Sequence, residues 1–265
     1  MSTILDKIIS HKSKTVNTNK ELFPIKLLEK SIYFNTTTVS LTKYLKREDK
    51  SGIIAEFKRS SPSKGDINLY ADIENVSIGY MQAGASALSV LTDSKFFGGK
   101  NEDLSVARKY NYCPILRKDF IIDEYQVVEA RSIGADAILL IAACLDTKLL
   151  NNLAALAKSL GLQTIMEIHE KKEINKLNQH IDIVGVNNRD LKSFKVSVNT
   201  SLNLSNEIPK ELIKISESGI DEPETIISLK NAGYNGFLIG EYFMKHSIPQ
   251  LACEKLIKRL RMNND

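Results

Sequence analysis

The feature that most constrains what this chain can fold into is a short apolar run that recurs eight times, alternating with helical patterns. The runs are Ile53 to Phe57, Ala87 to Leu91, Ile115 to Arg117, Ala137 to Ala142, Thr164 to Glu167, Ile183 to Val186, Ile213 to Ser216 and Gly236 to Ile239. They are rich in β-branched residues and Leu and carry few polar positions, as strands covered on both faces do. Between them, aspartates precede helically spaced apolar residues: Asp72 before Ile73, Val76 and Tyr80; Asp123 before Val127 and Val128; Asp146 before Leu149, Leu150, Leu153 and Leu156; Asp221 before Ile226, Ile227 and Leu229. Aspartate is a favoured N-cap because its carboxylate accepts from the free N–H groups of a first turn. Gly84, Gly134, Gly161 and Gly233 then close helices just ahead of the next strand, where the backbone turns through positive φ.

Strands of this kind with helices between them form a parallel sheet, so the fold class is α/β, and eight units predict a closed (β/α)8 TIM barrel. An open doubly wound sheet is the alternative. Such a sheet places a Gly-x-Gly-x-x-Gly turn after its first strand, whereas here the first strand runs into Lys58-Arg-Ser-Ser-Pro. No linker interrupts residues 1–265, which read as a single barrel domain. Residues 1–50 precede the first strand and carry helical spacings at Ile4, Ile8 and Ile9, then at Val39, Leu41 and Leu45. They are expected to form an N-terminal helical extension packed across one end of the barrel.

Composition narrows the function classes. With 43% hydrophobic and 26% charged residues the chain has material for a core, and its net charge of +4 is too small and too scattered for nucleic acid. The basic Lys258-Arg-Leu-Arg261 reads as the C-terminal end of a helix, where cations suit the dipole. Cys113, Cys144 and Cys253 are odd in number, lack metal-ligand spacing and read as small core residues of a reducing compartment. The longest apolar run, Ala137 to Leu145, is too short to span a membrane, and Met1 to Ser10 lacks the regions of a secretory signal. A cytoplasmic protein is expected, with no metal or cofactor. Nothing demands an oligomer, so a monomer is expected with assembly left open.

Barrels of this type bind ligands at the C-terminal ends of their strands. The strand tails here carry Glu56 and Lys58, then Thr92 and Asp93 followed by Phe96-Phe-Gly-Gly99, Lys118 and Asp119, Glu167, Asn187 and Arg189, Glu217-Ser-Gly219, and Gly240-Glu241. A lone charged strand end is an ordinary solvated rim residue, but two lysines and two carboxylates converging on one mouth are hard to explain by packing. Ser218-Gly219 and Gly240-Glu241 each set a glycine before a new helix, after the strands that build the recurrent phosphate site of barrels. A small phosphorylated ligand follows.

Taken in order, Glu56-Phe-Lys-Arg-Ser-Ser-Pro-Ser63, Leu116-Arg-Lys-Asp-Phe120, Met166-Glu-Ile-His169, Val186-Asn-Asn-Arg-Asp190, Ser216-Glu-Ser-Gly-Ile220 and Leu238-Ile-Gly-Glu241 resemble the indole-3-glycerol phosphate synthase family of tryptophan biosynthesis. The likeness runs from about residue 2 to 260. It implies a cofactor-independent carboxy-lyase that closes the indole ring of 1-(2-carboxyphenylamino)-1-deoxyribulose 5-phosphate, releasing carbon dioxide and water. The resemblance makes Lys118 the acid at the ketone oxygen, Glu167 a base, Lys58 the acid for hydroxyl loss and Glu56 the holder of Lys58. It puts Asn187, Arg189 and Ser218 at the substrate carboxylate, and Ser61, Gly219, Gly240 and the backbone of Glu241 at the phosphate. Phe97, Phe120 and either Leu139 or Leu140 would form the apolar slot for the aromatic ring. Two departures stand out: Glu241 sets a carboxylate beside the phosphate, which the site accommodates if only its N–H faces the ligand and the carboxylate turns to solvent, and Gly98 replaces an amide-bearing residue. The two lysines, if close, are expected to lower each other's pKa. Another phosphate-binding barrel, of the phosphoribosylanthranilate isomerase type, would need a paired Cys and Asp that Cys113 and Cys144 do not supply, and a non-enzymatic scaffold would have lost the ionisable groups at its mouth.

Overall fold

The computed structural model describes residues 3–262. Eight strands, β1 (Ile53–Phe57), β2 (Ala87–Leu91), β3 (Ile115–Lys118), β4 (Ala137–Ile141), β5 (Gln163–Ile168), β6 (Ile183–Asn187), β7 (Ile213–Glu217) and β8 (Gly236–Ile239), close into a parallel barrel in sequence order, with β8 paired to β1. Each observed strand lies within two residues of its expected bounds. The repeat is less regular than the pattern implied, since β5 and β6 are joined by a single 3-10 helix, Lys171–Lys176.

Asp72, Asp123 and Asp146 each accept a backbone N–H of the helix they precede, at 2.9, 2.9 and 2.8 Å. Asp221 does not cap its helix. That helix begins at Pro223, whose fixed φ suits a first helical position, and Glu222 takes the cap position without a side-chain bond. The four helix-closing glycines have φ between 75° and 100°.

Side chains alternate across each strand, so two cores form. The outer one lies between strands and helices and holds Leu140, Ile138, Met166 and Ile239. The inner one fills the barrel from Ile54, Ala87, Leu116, Ala137, Ile183 and Ile213 near the floor to Leu139, Ile141 and Leu238 higher up.

The N-terminal extension divides between both ends of the barrel instead of packing across one. Helix α1 (Ile4–Leu22) lies over the C-terminal mouth, because the buried Lys12 ammonium pairs with Asp93 at 2.8 Å and Asp119 at 2.7 Å, just past β2 and β3. After α2 (Ile25–Leu28) the chain passes to the opposite end, where Thr38 donates to Gly161 O and the Val39 N–H to Asp136 Oδ1, each at 2.7 Å. Helix α3 (Leu41–Leu45) then seats Leu41 and Leu45 in the inner core as its floor. The bare Gly236 makes room for Leu45 there.

Candidate active site

The inward positions of the strands turn polar at one level. Ser89 of β2 lies beside Glu56 of β1, Lys118 beside Leu91, Glu167 beside Ile141 and Gly185, and Asn187 beside Glu217. Parallel register therefore carries three carboxylates to the barrel mouth, and Glu56, Glu167 and Glu217 are only 3%, 2% and 1% exposed. Buried charge at that density persists only where partners compensate it. Lys118 Nζ stands between two of them, 2.8 Å from Glu167 Oε2 and 3.2 Å from Glu217 Oε2. Lys58 Nζ takes the third, 2.9 Å from Glu56 Oε1, while Ser89 Oγ donates to Glu56 Oε2 at 3.2 Å.

The electrostatics follow from this arrangement. Burial alone would lower the Lys118 ammonium, but Glu167, Glu217 and Glu56 outweigh it and hold the group above its ordinary range. This reverses the expected mutual lowering by the lysines, because the nearest charges to Lys118 are carboxylates. Glu167 is raised by burial but pulled below its usual value by Lys118 and His169. Glu217 goes the other way, pushed up to about 8 by burial and by Glu167 against the pull of Lys118. Two buried carboxylates sharing one ammonium thus divide into an ionised and a protonated member, the separation that acid–base chemistry uses.

Two adjoining chambers open above this cluster. The first, of about 140 Å³, is lined by Phe97, Phe120, Leu139, Ile141 and Leu238, with Lys118, Glu167, Asn187 and Glu217 at its base. The Phe97 and Phe120 rings stand 5.9 Å apart and tilted by 36°. The second, of about 390 Å³, is polar and is lined by Lys64, Gly219, Gly240, Tyr242 and Lys245. Glu56, Lys58, Arg189, Ser218 and Glu241 border both. Ser218 holds φ at 70°, a strained value for a residue with a side chain and one that gathers at functional sites. Its carbonyl accepts from Asn188 Nδ2 at 3.0 Å.

The mouth brings together Glu56, Lys58, Ser61, Phe97, Lys118, Phe120, Leu139, Glu167, Asn187, Arg189, Ser218, Gly219, Gly240 and Glu241. Of the alternatives on β4, Leu139 faces the chamber and Leu140 the outer core, as their parity requires. Several placements differ from expectation. Ser61 borders the apolar chamber, not the polar one with the glycines. Gly219 lies four positions ahead of the Pro223 helix, so only Gly240 immediately precedes a helix, the short Glu241–Met244. A Cβ on Gly240 would strike Glu56 Oε1, so this glycine also clears space for a carboxylate. Glu241 does not turn to solvent: Oε2 meets Arg189 Nη2 at 3.0 Å and Oε1 lies 3.5 Å from Lys64 Nζ. Gly98 ends the short helix Ser94–Phe97 at φ 64°, and its carbonyl accepts from Arg59 Nη1 at 3.2 Å.

Sequence reasoning overlooked Glu217 as a member of the charged cluster, taking its tripeptide only for an anion loop. Its signal was position, since it ends β7 at the inward parity of Ile213 and Ile215. Ile4, Leu5 and Ile8 of α1, which roof the apolar chamber, and Lys64 and Lys245 on the polar side were also missed. Among the described residues no group of His, Cys, Asp and Glu is arranged to hold a metal ion, and no helix is long and apolar enough to cross a membrane.

Comparison with known proteins shows the family to which the chain belongs. Residues 5–256 match the family model described as indole-3-glycerol phosphate synthase. The chain is 45% identical over 261 residues to the indole-3-glycerol phosphate synthase of Bacteroides thetaiotaomicron, covering 98% of this chain and 100% of that one. It is 41% identical to that of Caldanaerobacter subterraneus subsp. tengcongensis, covering 97% and 99%. Among solved structures, tryptophan synthase subunit alpha from Legionella pneumophila superposes with a TM-score of 0.60 at 15% identity, covering 85% of this chain and 98% of that one, a likeness of fold.

Proposed function

From the membership of this chain in the indole-3-glycerol phosphate synthase family of tryptophan biosynthesis, we propose how its mouth closes the indole ring of 1-(2-carboxyphenylamino)-1-deoxyribulose 5-phosphate. The observation that carries the reading is Lys118 suspended between Glu167 and Glu217 where an apolar chamber meets a polar one.

The aromatic ring of the substrate suits the slot beside Phe97, Phe120 and Leu139. Its phosphate suits the chamber of Gly219, Gly240, Lys64 and Lys245, with Ser61 bordering the ribulose chain between. Arg189, Asn187 and Ser218 stand where the carboxylate would lie. In ring closure an aromatic carbon attacks the ketone and negative charge grows on its oxygen. An ammonium aimed at that oxygen stabilises the charge, and the surrounding carboxylates keep Lys118 charged at any working pH. Proton transfer from so weak an acid becomes favourable once the oxygen is an alkoxide, a stronger base than an amine. The iminium formed by cyclisation accepts the electrons of the departing carboxylate, so carbon dioxide leaves without an added electron sink.

Dehydration then needs a base and an acid on opposite sides. Glu167, ionised by its neighbours, takes the proton from the ring system, and Lys58 supplies one to the leaving hydroxyl while Glu56 holds it in place. The same reading takes residues 1–265 as one barrel domain with 1–50 as its extension, working in the cytoplasm as a monomer without nucleic acid or cofactor. Mixing purified protein with the carboxyphenylamino substrate and following indole fluorescence tests it. Stoichiometric indole-3-glycerol phosphate is expected, and substrate recovered unchanged would sink the assignment.

A further inference from the structure

The carboxylate of Glu167 has two oxygens with different surroundings. Oε2 takes Lys118, whereas Oε1 faces the ring of His169, whose Nε2 lies 3.5 Å away. His169 is the first residue beyond β5, two positions after Glu167, so both side chains leave the strand on the same side. Its backbone N–H is fixed by Glu173 Oε2 at 2.6 Å, at the head of the 3-10 helix. Both of its ring nitrogens are buried, and neither has a hydrogen-bond partner. Buried polar atoms are nearly always paired, so an idle imidazole beside an acid–base group calls for an explanation. The ring also borders a separate cavity of about 630 Å³, shared with Glu170, Lys176 and Asp190, which Glu167 does not reach. His169 therefore forms the wall behind Glu167.

We propose that His169 is a positioning residue for Glu167, its Nε2–H closing onto Oε1 when substrate draws the carboxylate into line. The inference rests on Glu167 acting as the base and deepens that assignment. Catalytic hydrogen bonds are commonly long in a ligand-free site and tighten in the complex, and 3.5 Å is within one small rotation of a bond. With Lys118 on one oxygen and His169 on the other, the plane of the carboxylate is fixed and its lone pair is aimed at the ring system of the substrate. The imidazole also favours the charged form of Glu167, second to Lys118 among the charges that do so. The other polar groups around the pair are Asn187 of β6 and Glu217 of β7, with Glu173 below His169. No bond to carbon is made or broken by His169.

The test is single-turnover ring closure and dehydration as a function of pH, with substrate affinity measured alongside. His169→Leu should slow turnover about tenfold, a fraction of the ~10² to 10⁴ that a positioned acid or base contributes, with Kd within about twofold. Its acid limb should move to higher pH, since Glu167 loses a neighbour that favours ionisation and needs a higher pH to stay deprotonated. His169→Gln, whose amide N–H reaches the place of Nε2, should recover most of the rate. If the leucine variant does not fold, His169→Phe keeps the ring volume without the nitrogens and takes its place. Parental turnover with an unmoved acid limb in either apolar variant would overturn the inference. So would a folded glutamine variant no better than the apolar one. Glu167→Gln, measured in parallel, separates the two levels: if it is impaired while the His169 variants are silent, only the inference falls, and if it keeps the parental rate, the base assignment falls with it.

Discussion

Glu217 reaches Lys118 with Oε2 at 3.2 Å, while its other oxygen lies buried against the bare Cα of Gly185 with no hydrogen-bond partner. A Cβ at position 185 would come within 2.6 Å of that oxygen, so the bare glycine in β6, paired with Ile215, leaves the space that the acid two residues further along β7 occupies. Because burial lifts Glu217 to about 8, the folded protein binds its proton through a range where the unfolded chain, at about 4.5, has released it. Stability contributed by this group is present at low pH and lost as pH rises from about 4.5 through about 8. Glu217→Gln should flatten that decline, and urea denaturation of parent and variant across the interval measures it. Parallel pH profiles would mean Glu217 is ionised throughout.

Lys118→Ala should cut turnover by ~10² to 10⁴ while substrate still binds, because Lys118 does not line the polar chamber of Gly219, Gly240, Lys64 and Lys245. Isothermal titration beside single-turnover fluorescence separates the two effects. Near-parental turnover would remove Lys118 from the reaction.

Gly240→Val is expected to harm catalysis as well as binding. Phosphate contacts made equally in ground and transition states would alone raise KM. The added side chain also strikes Glu56, which holds Lys58, so kcat should fall too. A change confined to KM would show that Glu56 can move aside.

Glu241→Ser frees Arg189 and Lys64, which the Glu241 carboxylate engages. Removing an anion that competes for the same cations should leave kcat unchanged and KM unchanged or lower. A higher KM, read from initial rates at low ionic strength where such charges are least screened, would mean Glu241 orders Arg189 for the substrate.

Lys12→Met removes the ammonium that ties α1 to Asp93 and Asp119. Breaking a buried pair by deleting one partner typically costs ~3–5 kcal/mol. Denaturant unfolding should show a loss of that order, and a loss below about 1 kcal/mol would place Lys12 among pairs of surface strength. Turnover should fall too, since Ile4, Leu5 and Ile8 roof the apolar chamber from the same helix.

The barrel was legible because its strands are buried on both faces, so runs such as Ile53 to Phe57 and Ala87 to Leu91 declare themselves by composition alone. The site was legible as a set of strand tails, since a parallel barrel carries all of them to one end. What resisted reading depended on distance in space. Nothing in the spacing of Ile4, Ile8, Leu41 and Leu45 says that the first pair roofs the barrel and the second floors it, because periodicity reports a buried face and not what buries it. The raised pKa of Lys118 was hidden for the same reason, as the carboxylates nearest to it come from β5 and β7. Asp221 lost its capping role to a local competitor, Pro223, whose preference for a first helical turn was in plain view.

The ladder that closes the barrel joins β1 to β8, and the glycine just past β8 is what lets the Glu56 carboxylate sit at the end of β1. During synthesis β1 leaves the ribosome early and β8 late, so Lys58 and its carboxylate wait for most of translation without the surface that seats them. Catalytic competence is therefore a late event in the life of a nascent chain. Circular permutation gives this a clear geometry: new termini in a loop at the floor leave the seam intact, whereas a break directly after Ile239 parts Gly240 from the strand that aims it. In this barrel the mouth is finished by the same step that shuts the wall.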